Sequence, residues 1–290
     1  MKKIAIVTDS NSGLTQKQGE ELGIFILPMP FTINGADYFE DITLSQQEFY
    51  RLLSEDAIIA TSQPAVGDLL ELWDQLLENH EEIVHIPMSS GLSGSCETAT
   101  TFSQDYAGKI QVVNNQRISV TQRQSVLDAL ALAQKGKSAL EIKNILEETK
   151  FDSSIYIMVD TLKYLRRGGR VTATAAAFAE ILNIKPVLQI QGEKLDAFSK
   201  ARGIKQAKTI MVKAIKADIE NKFGGFHSGH PTVYIQIAHT NNEEAAKQFA
   251  KEIEKEFSGY PIFIDCLSLS ISCHIGPGSL ALACTKVLDI

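Results

Sequence analysis

The sequence predicts an α/β protein of two domains, and three observations carry that prediction. Short apolar runs alternate with longer amphipathic segments, the pattern of strands separated by helices. At 290 residues the chain exceeds the usual size of one domain. Its 44% hydrophobic and 22% charged residues supply apolar material for two cores. The expected domains are residues 1–153, built on a largely parallel three-layer sheet, and 154–290, built on a smaller mixed sheet.

Taken in order, Lys2–Thr8 reads as a strand and Gly23–Ile33 as a second. Asn34-Gly35 is a strong hairpin-turn signal before Ala36–Phe39. Helical spacing covers Ser45–Ser54 and Val66–Glu78. Glu82–Pro87 is a buried-strand pattern, followed by a turn rich in glycine and serine and a helix from about Ser93. Lys109–Asn114 reads as a strand, and Ser119–Gln134 and Ser138–Thr149 as helices. The second half opens with the strand Ile155–Asp160. A helix follows over Ala173–Leu182, then strands at Pro186–Gln191 and Leu195–Phe198 and a helix over Ile204–Asn221. Residues 224–231 form a loop. Strands at Thr232–Ala238 and Tyr260–Cys266 then enclose a helix, Glu243–Glu256. Gly276-Pro277-Gly278 is expected to open a last helix.

Composition narrows the function. A net charge of −7 and a pI near 5.5 argue against a nucleic-acid partner, and the cluster Arg166, Arg167 and Arg170 is too short to offset them. No apolar stretch approaches the ~18 residues of a membrane span. Asp9 cuts the opening apolar run, so no secretory leader is expected there. Cys96, Cys266, Cys273 and Cys284 show no CxxC spacing, which points to a reducing cytoplasm.

Several motifs carry chemistry or imitate it. Thr61-Ser62-Gln63-Pro64 precedes a helical pattern and reads first as an N-cap, although a capped helix start also offers donors to an anion. Ser89–Ser95 follows a strand and opens a helix, the place where ligands sit in an open α/β sheet. Its glycines let a backbone approach a ligand and its serines add donors. Gly91-Leu92-Ser93-Gly94-Ser95 lacks the last glycine of a nucleophile elbow, yet a serine esterase or thioesterase using Ser93, with His274 and Asp160 as partners, is the rival reading. Gly276–Ala281 matches a dinucleotide fingerprint, but only twelve residues follow Gly278, too few for the second strand and its acidic residue. No P-loop is present. Gly168-Gly169 is expected to end a helix, with Arg166 and Arg167 near its carboxyl end. His227-Ser228-Gly229-His230 has no second ligand pair, so no metal is expected.

In order along the chain, IAIVTDS at 4–10, Thr61–Pro64, Ser89–Ser95, Tyr164–Arg170, Lys185-Pro186, Lys200-Ala201-Arg202 and His274 before Gly276-Pro277-Gly278 together resemble the DegV family of bacterial proteins. The resemblance implies two α/β domains with a fatty acid in a tunnel between them. It further implies the fatty-acid-binding subunit of a fatty acid kinase, not catalytic alone, with no cofactor beyond a bound palmitate, stearate or oleate. A separate ATP-dependent kinase subunit would form the acyl phosphate that feeds phospholipid synthesis. Carried over by position, Thr61, Ser62, Ser93 and the Gly94 amide surround the carboxylate with His274 nearby, and Arg170 and Arg202 lie toward the mouth. The chain departs from the family at Ser272-Cys273, where Gly-Thr is common, and at Asn114-Asn115, where Asp-Ser is common.

Overall fold

The computed structural model describes residues 3–55, 57–170, 172–176, 184–192, 194–227 and 229–289. The chain parts into two compact units after Phe151, the second running over Asp152–Asp289.

The first unit holds β1 (Ile4–Asp9), α1 (Gln16–Leu22), β2 (Ile24–Leu27), β3 (Pro30–Ile33), β4 (Ala36–Phe39), α2 (Gln46–Ser54), β5 (Ile59–Thr61) and α3 (Val66–Leu77). β6 (Glu82–Ile86), α4 (Ser95–Ser103), β7 (Ile110–Val112), α5 (Ser119–Gln134) and α6 (Ala139–Glu148) complete it. Four strands form a wholly parallel sheet in the order β2-β1-β6-β7. One face presents Ala5, Val7, Leu27, Ile83, Ile110 and Val112 to Leu69, Trp73 and Leu76 of α3 and Cys96 and Ala99 of α4. Residues alternate across a strand, so Ile6, Ile24, Ile26 and Val84 face the other way, toward the layer of α1, α5 and α6.

The expected single strand over Gly23–Ile33 is two strands in two sheets. Pro28 and Pro30 interrupt it; proline has no N–H for a ladder. β3 instead joins a separate antiparallel sheet in the order β4-β3-β5. Asn34 and Gly35 make the predicted hairpin turn, both in the left-handed region at φ 51° and 86°.

In the second unit, β8 (Ser153–Met158), α7 (Lys163–Gly168), α8 (Ala173–Ala176), β9 (Lys185–Ile190), β10 (Asp196–Ala201) and α9 (Ile204–Lys222) are followed by β11 (Val233–His239), α10 (Glu243–Ile253), β12 (Ile262–Cys266), α11 (Leu269–Ile275) and β13 (Leu280–Lys286). The predicted helix Ala173–Leu182 is seen only over 173–176, and residues 177–182 lie outside the described ones. The sheet order is β10-β9-β8-β13-β11-β12, with only β11 and β12 parallel among its pairs. Among the described residues this mixed sheet has six strands against four in the parallel one, so it is the wider and not the smaller. Met211, Ile215 and Ile219 of α9, Phe223 at its C-cap, and Phe249 and Ile253 of α10 pack against it.

Gly276-Pro277-Gly278 opens no helix. It turns the chain into β13, a strand between β8 and β11. Leu280–Cys284 is buried at every position, and a short run apolar on both faces has no period that separates strand from helix. Thr240 fixes the turn: its hydroxyl donates to Gly276 O at 2.6 Å, and its carbonyl accepts from Gly278 N at 2.8 Å. Among the described residues no helix is long and apolar enough to cross a membrane.

The second core closes over one buried acid. Asp218 on α9 accepts from Tyr156 Oη at 2.7 Å and pairs with Lys222 at 2.7 Å. Tyr156→Phe should cost about 1–3 kcal/mol, because it takes a donor from a buried carboxylate. Urea denaturation followed by far-ultraviolet circular dichroism measures that loss.

Candidate functional site in the first unit and the His274 corner in the second

β1 leads to β2 on one side, while β6 lies on its other side, so the gap between β1 and β6 is the sheet's topological switch point. Asp9 stands at the carboxyl end of β1, 1% exposed. Its Oδ2 accepts from Met88 N at 2.7 Å, and Oδ1 accepts from Asn11 N at 3.0 Å and from Gln122 Nε2 at 3.2 Å. Burial outweighs those hydrogen bonds and raises the carboxyl pKa to about 6. Asp9 thus ties the chain leaving β6 to the chain leaving β1. In the sequence this aspartate reads only as the end of an apolar run; an acid closing a β1 strand at a switch point is the signal it carried.

The Ser89–Ser95 segment begins one residue beyond that anchor. Ser89 N donates to Arg117 O at 2.9 Å, and Ser89 O accepts from Leu92 N at 3.0 Å and Ser93 N at 3.2 Å. α4 then starts at Ser95 with Gly94 as N-cap. Ser93 Oγ accepts from Ser95 N at 3.2 Å, a hydroxyl at the open end of a nine-residue helix. Ser93 is half-buried and Gly94 exposed; the Gly94 N–H donates to no group among the described residues.

Thr61-Ser62-Gln63-Pro64 is not a helix cap. Thr61 ends β5 opposite Phe31, and the cap of α3 is Ala65, whose side chain has nothing to donate or accept. Proline forces the residue before it toward extended backbone, which delays the helix. Gln63 instead bridges to α4, where its Oε1 accepts from Thr98 Oγ1 at 3.1 Å. A Cβ on Gly94 would come within 3.2 Å of the same Oε1. The carboxamide therefore holds Gln63 against the first turn of α4, beside Gly94. At the departure position, Asn115 is fully buried, and neither polar atom of its carboxamide has a protein partner.

In the second unit, α7 ends as predicted, with Gly169 as a left-handed C-cap at φ 67°. Gly168 is required for clearance, because a Cβ there would lie 2.1 Å from His274 Nδ1. Gly276 is required twice over: its φ is 81°, and a Cβ would come 2.3 Å from Tyr164 Cδ2. Burial first, then the nearby Arg170 guanidinium, lowers the His274 pKa to about 4, so the imidazole is neutral at pH 7. Arg170 does not extend outward. It is half-buried, and its Nη1 donates to Gly168 O two residues back, which sets it beside His274. Arg202 is exposed, and its backbone N–H donates to Gln206 Oε1 at 2.7 Å. Asp160 pairs with Lys185. No group of three metal-ligating side chains occurs among the described residues; His227 Nε2 lies 2.8 Å from Gly224 O, and Ser228 is outside those residues.

A sequence profile described as an uncharacterised protein of the DegV family matches residues 3–287. The chain belongs to the DegV family. A DegV domain-containing protein of Halalkalibacterium halodurans is 31% identical, the match covering 98% of each chain. One from Staphylococcus aureus is 28% identical over 286 residues, 99% of this chain and 100% of that one. Among solved structures, a DegV protein of Thermus thermophilus described as fatty-acid-binding superposes with a TM-score of 0.87 at 29% identity, covering 98% of this chain and 100% of that one. DegV from Bacillus subtilis, described as a fatty acid binding protein, has a TM-score of 0.85 at 27% identity, covering 99% and 100%.

The Asp9 anchor has a measurable pH signature. Its folded pKa of about 6 lies above the ordinary 3.8, so its ionisation opposes folding as pH rises between those values. Asp9→Ala strands the Met88 and Asn11 amides and should be destabilising at pH 4. The gap between parent and variant should then narrow by about 2 kcal/mol on going to pH 7. Urea midpoints of both proteins at the two pH values test this; a gap that is constant or widens places the proton elsewhere.

Proposed function

We propose that this DegV protein binds one long-chain fatty acid in the cytoplasm and presents its carboxylate to a separate ATP-dependent kinase, without chemistry of its own. The observation that carries the reading is the corner at Ser93 and Gly94. There an unspent N–H and a serine hydroxyl stand at the start of α4 with the Gln63 carboxamide against them, and Thr61 and Ser62, just before Gln63 in the chain, would complete the donor set. A helix start with free donors suits an anion. Two relatives above 25% identity are described as fatty-acid-binding, which supports the choice of anion.

The energetics fit that choice. Burying a methylene is worth roughly 0.8 kcal/mol, so a tail of about 14 offers roughly 11 kcal/mol gross. Affinity then comes from the tail, and the head group needs satisfied hydrogen bonds rather than a buried counter-charge. The esterase reading lacks comparable support. A triad histidine needs an acid to stabilise its imidazolium. His274 instead feels the Arg170 cation, and Asp160 is engaged by Lys185.

The purified protein should therefore yield about one equivalent of a fatty acid of roughly 14–18 carbons on denaturing extraction and mass spectrometry. Ser93→Ala and Thr61→Ala should each weaken oleate binding about 5- to 150-fold, the equivalent of roughly 1–3 kcal/mol per lost donor. Parent-like retention by both variants would relocate the head group.

Presentation is tested separately. The guanidinium of Arg170 lies against Gly168 O and beside His274, so its role in the proposed transfer is short-range. Arg170→Ala should keep its lipid yet lose acyl phosphate formation with the cognate kinase, and Arg170→Glu should lose more. Full turnover by Arg170→Ala would show that the transfer does not need this guanidinium.

A further inference from the structure

A cavity of about 10 Å³ lies between the end of β6 and the first turn of α4, with polar walls supplied by Asp9, Gln63, His85, Ser95 and Thr98. That is about the smallest space a single water needs, and a water settles only where at least two polar partners meet it. Two candidates face no protein group. Ser95 Oγ, on a residue 8% exposed, and His85 Nδ1, on a residue 2% exposed, are buried without a hydrogen-bond partner.

The chemistry of each fits a neutral, two-way ligand. Burial pushes the His85 pKa down to about 3, so its ring carries one N–H and one lone pair at pH 7. The serine hydroxyl both donates and accepts. An anion is disfavoured, because the Asp9 carboxylate forms part of the wall. A cation is disfavoured too, because Asp9 already accepts from Met88 N, Asn11 N and Gln122 Nε2. An apolar filler would leave Ser95 Oγ and His85 Nδ1 unsatisfied. Water is the species left.

We propose that this cavity holds one structural water bonded to Ser95 Oγ and His85 Nδ1. It joins the carboxyl-terminal part of β6 to the first turn of α4. Ser95 N donates to Ser93 Oγ, so the water also steadies the residue that orients the Ser93 hydroxyl. The cavity and its walls are independent of any ligand bound at Ser93.

A crystal structure of the full chain at about 1.2 Å, with and without added oleate, tests it. The expected result in both is one ordered water within about 3.2 Å of Ser95 Oγ and His85 Nδ1. In solution, oxygen-17 relaxation dispersion should show one long-lived water fewer in Ser95→Val, where a methyl group takes the space. An empty cavity, a lipid carboxylate oxygen inside it, or Ser95 Oγ turned onto a protein carbonyl would overturn the assignment. None of these readouts depends on lipid affinity, so failure here and failure of the lipid reading are separable.

Discussion

The Asp9 carboxylate, closed off from water at the end of β1, holds two loops that the chain separates by almost 80 residues. Its raised pKa means that the ionised form costs about 3 kcal/mol net even after its hydrogen bonds are counted. A neutral isostere would avoid that cost but could not make the same bonds. Both carboxylate oxygens accept from backbone N–H groups, those of Met88 and Asn11, and an asparagine would turn an NH₂ toward one of them. Only an acceptor on both sides fits. Gln122 adds its Nε2 to the same oxygen, to Thr8 Oγ1 and to Ile86 O, so α5 closes the switch point from the opposite layer. The Ser89–Ser95 segment hangs from this lock through Met88.

The second unit reaches comparable definition by leaving atoms out. α7 and α11 meet at glycines: Gly168 admits the His274 ring, and Gly276 admits Tyr164. A methyl group at either position would overlap an aromatic ring, so the backbone of one helix sets the ring position of the other. Arg170 completes the arrangement by folding back onto the carbonyl of Gly168. Burial, and then the cation beside it, keeps the imidazole neutral, and a neutral ring can accept or donate without bringing a charge to be neutralised.

Much of this is legible in the sequence where local chemistry decides the outcome. Asn34-Gly35 makes its hairpin because both residues tolerate positive φ. Ser138 caps α6, with Glu141 closing the capping box. Gly169 ends α7 as a left-handed residue. Structure and sequence part where tertiary pairing overrides a local rule. Thr61-Ser62 has the composition of a cap, but β3 claims Thr61 for a strand. Gly276-Pro277-Gly278 has the composition of a helix start, but the gap between β8 and β11 takes the following residues as a strand. Proline at 28 and 30 is visible in the sequence, yet nothing local says that the two halves it separates enter different sheets. The candidate site is legible as a set of hydroxyls and glycines. Gln63 and Asp9, which hold that set in place, act through partners 35 and 79 residues away, and such contacts leave no periodic trace.

One asymmetry in the site follows from the proposed reading. The donors at the start of α4 are the Ser93 hydroxyl and the Gly94 amide, both neutral, and among the described residues no lysine or arginine lines the small cavity bordered by Ser95. A site built to hold a carboxylate as tightly as possible would place a guanidinium on it, since a charge-assisted pair is roughly twice as strong as a neutral hydrogen bond. A carrier has the opposite requirement. Its ligand must leave, or react, after the tail has already supplied most of the affinity, and a head group fixed by a buried ion pair would add a barrier to every transfer. Neutral donors satisfy the oxygens while leaving their charge available to an incoming electrophile. On the proposed reading, the same donors that would stabilise a carboxylate here would leave it nucleophilic.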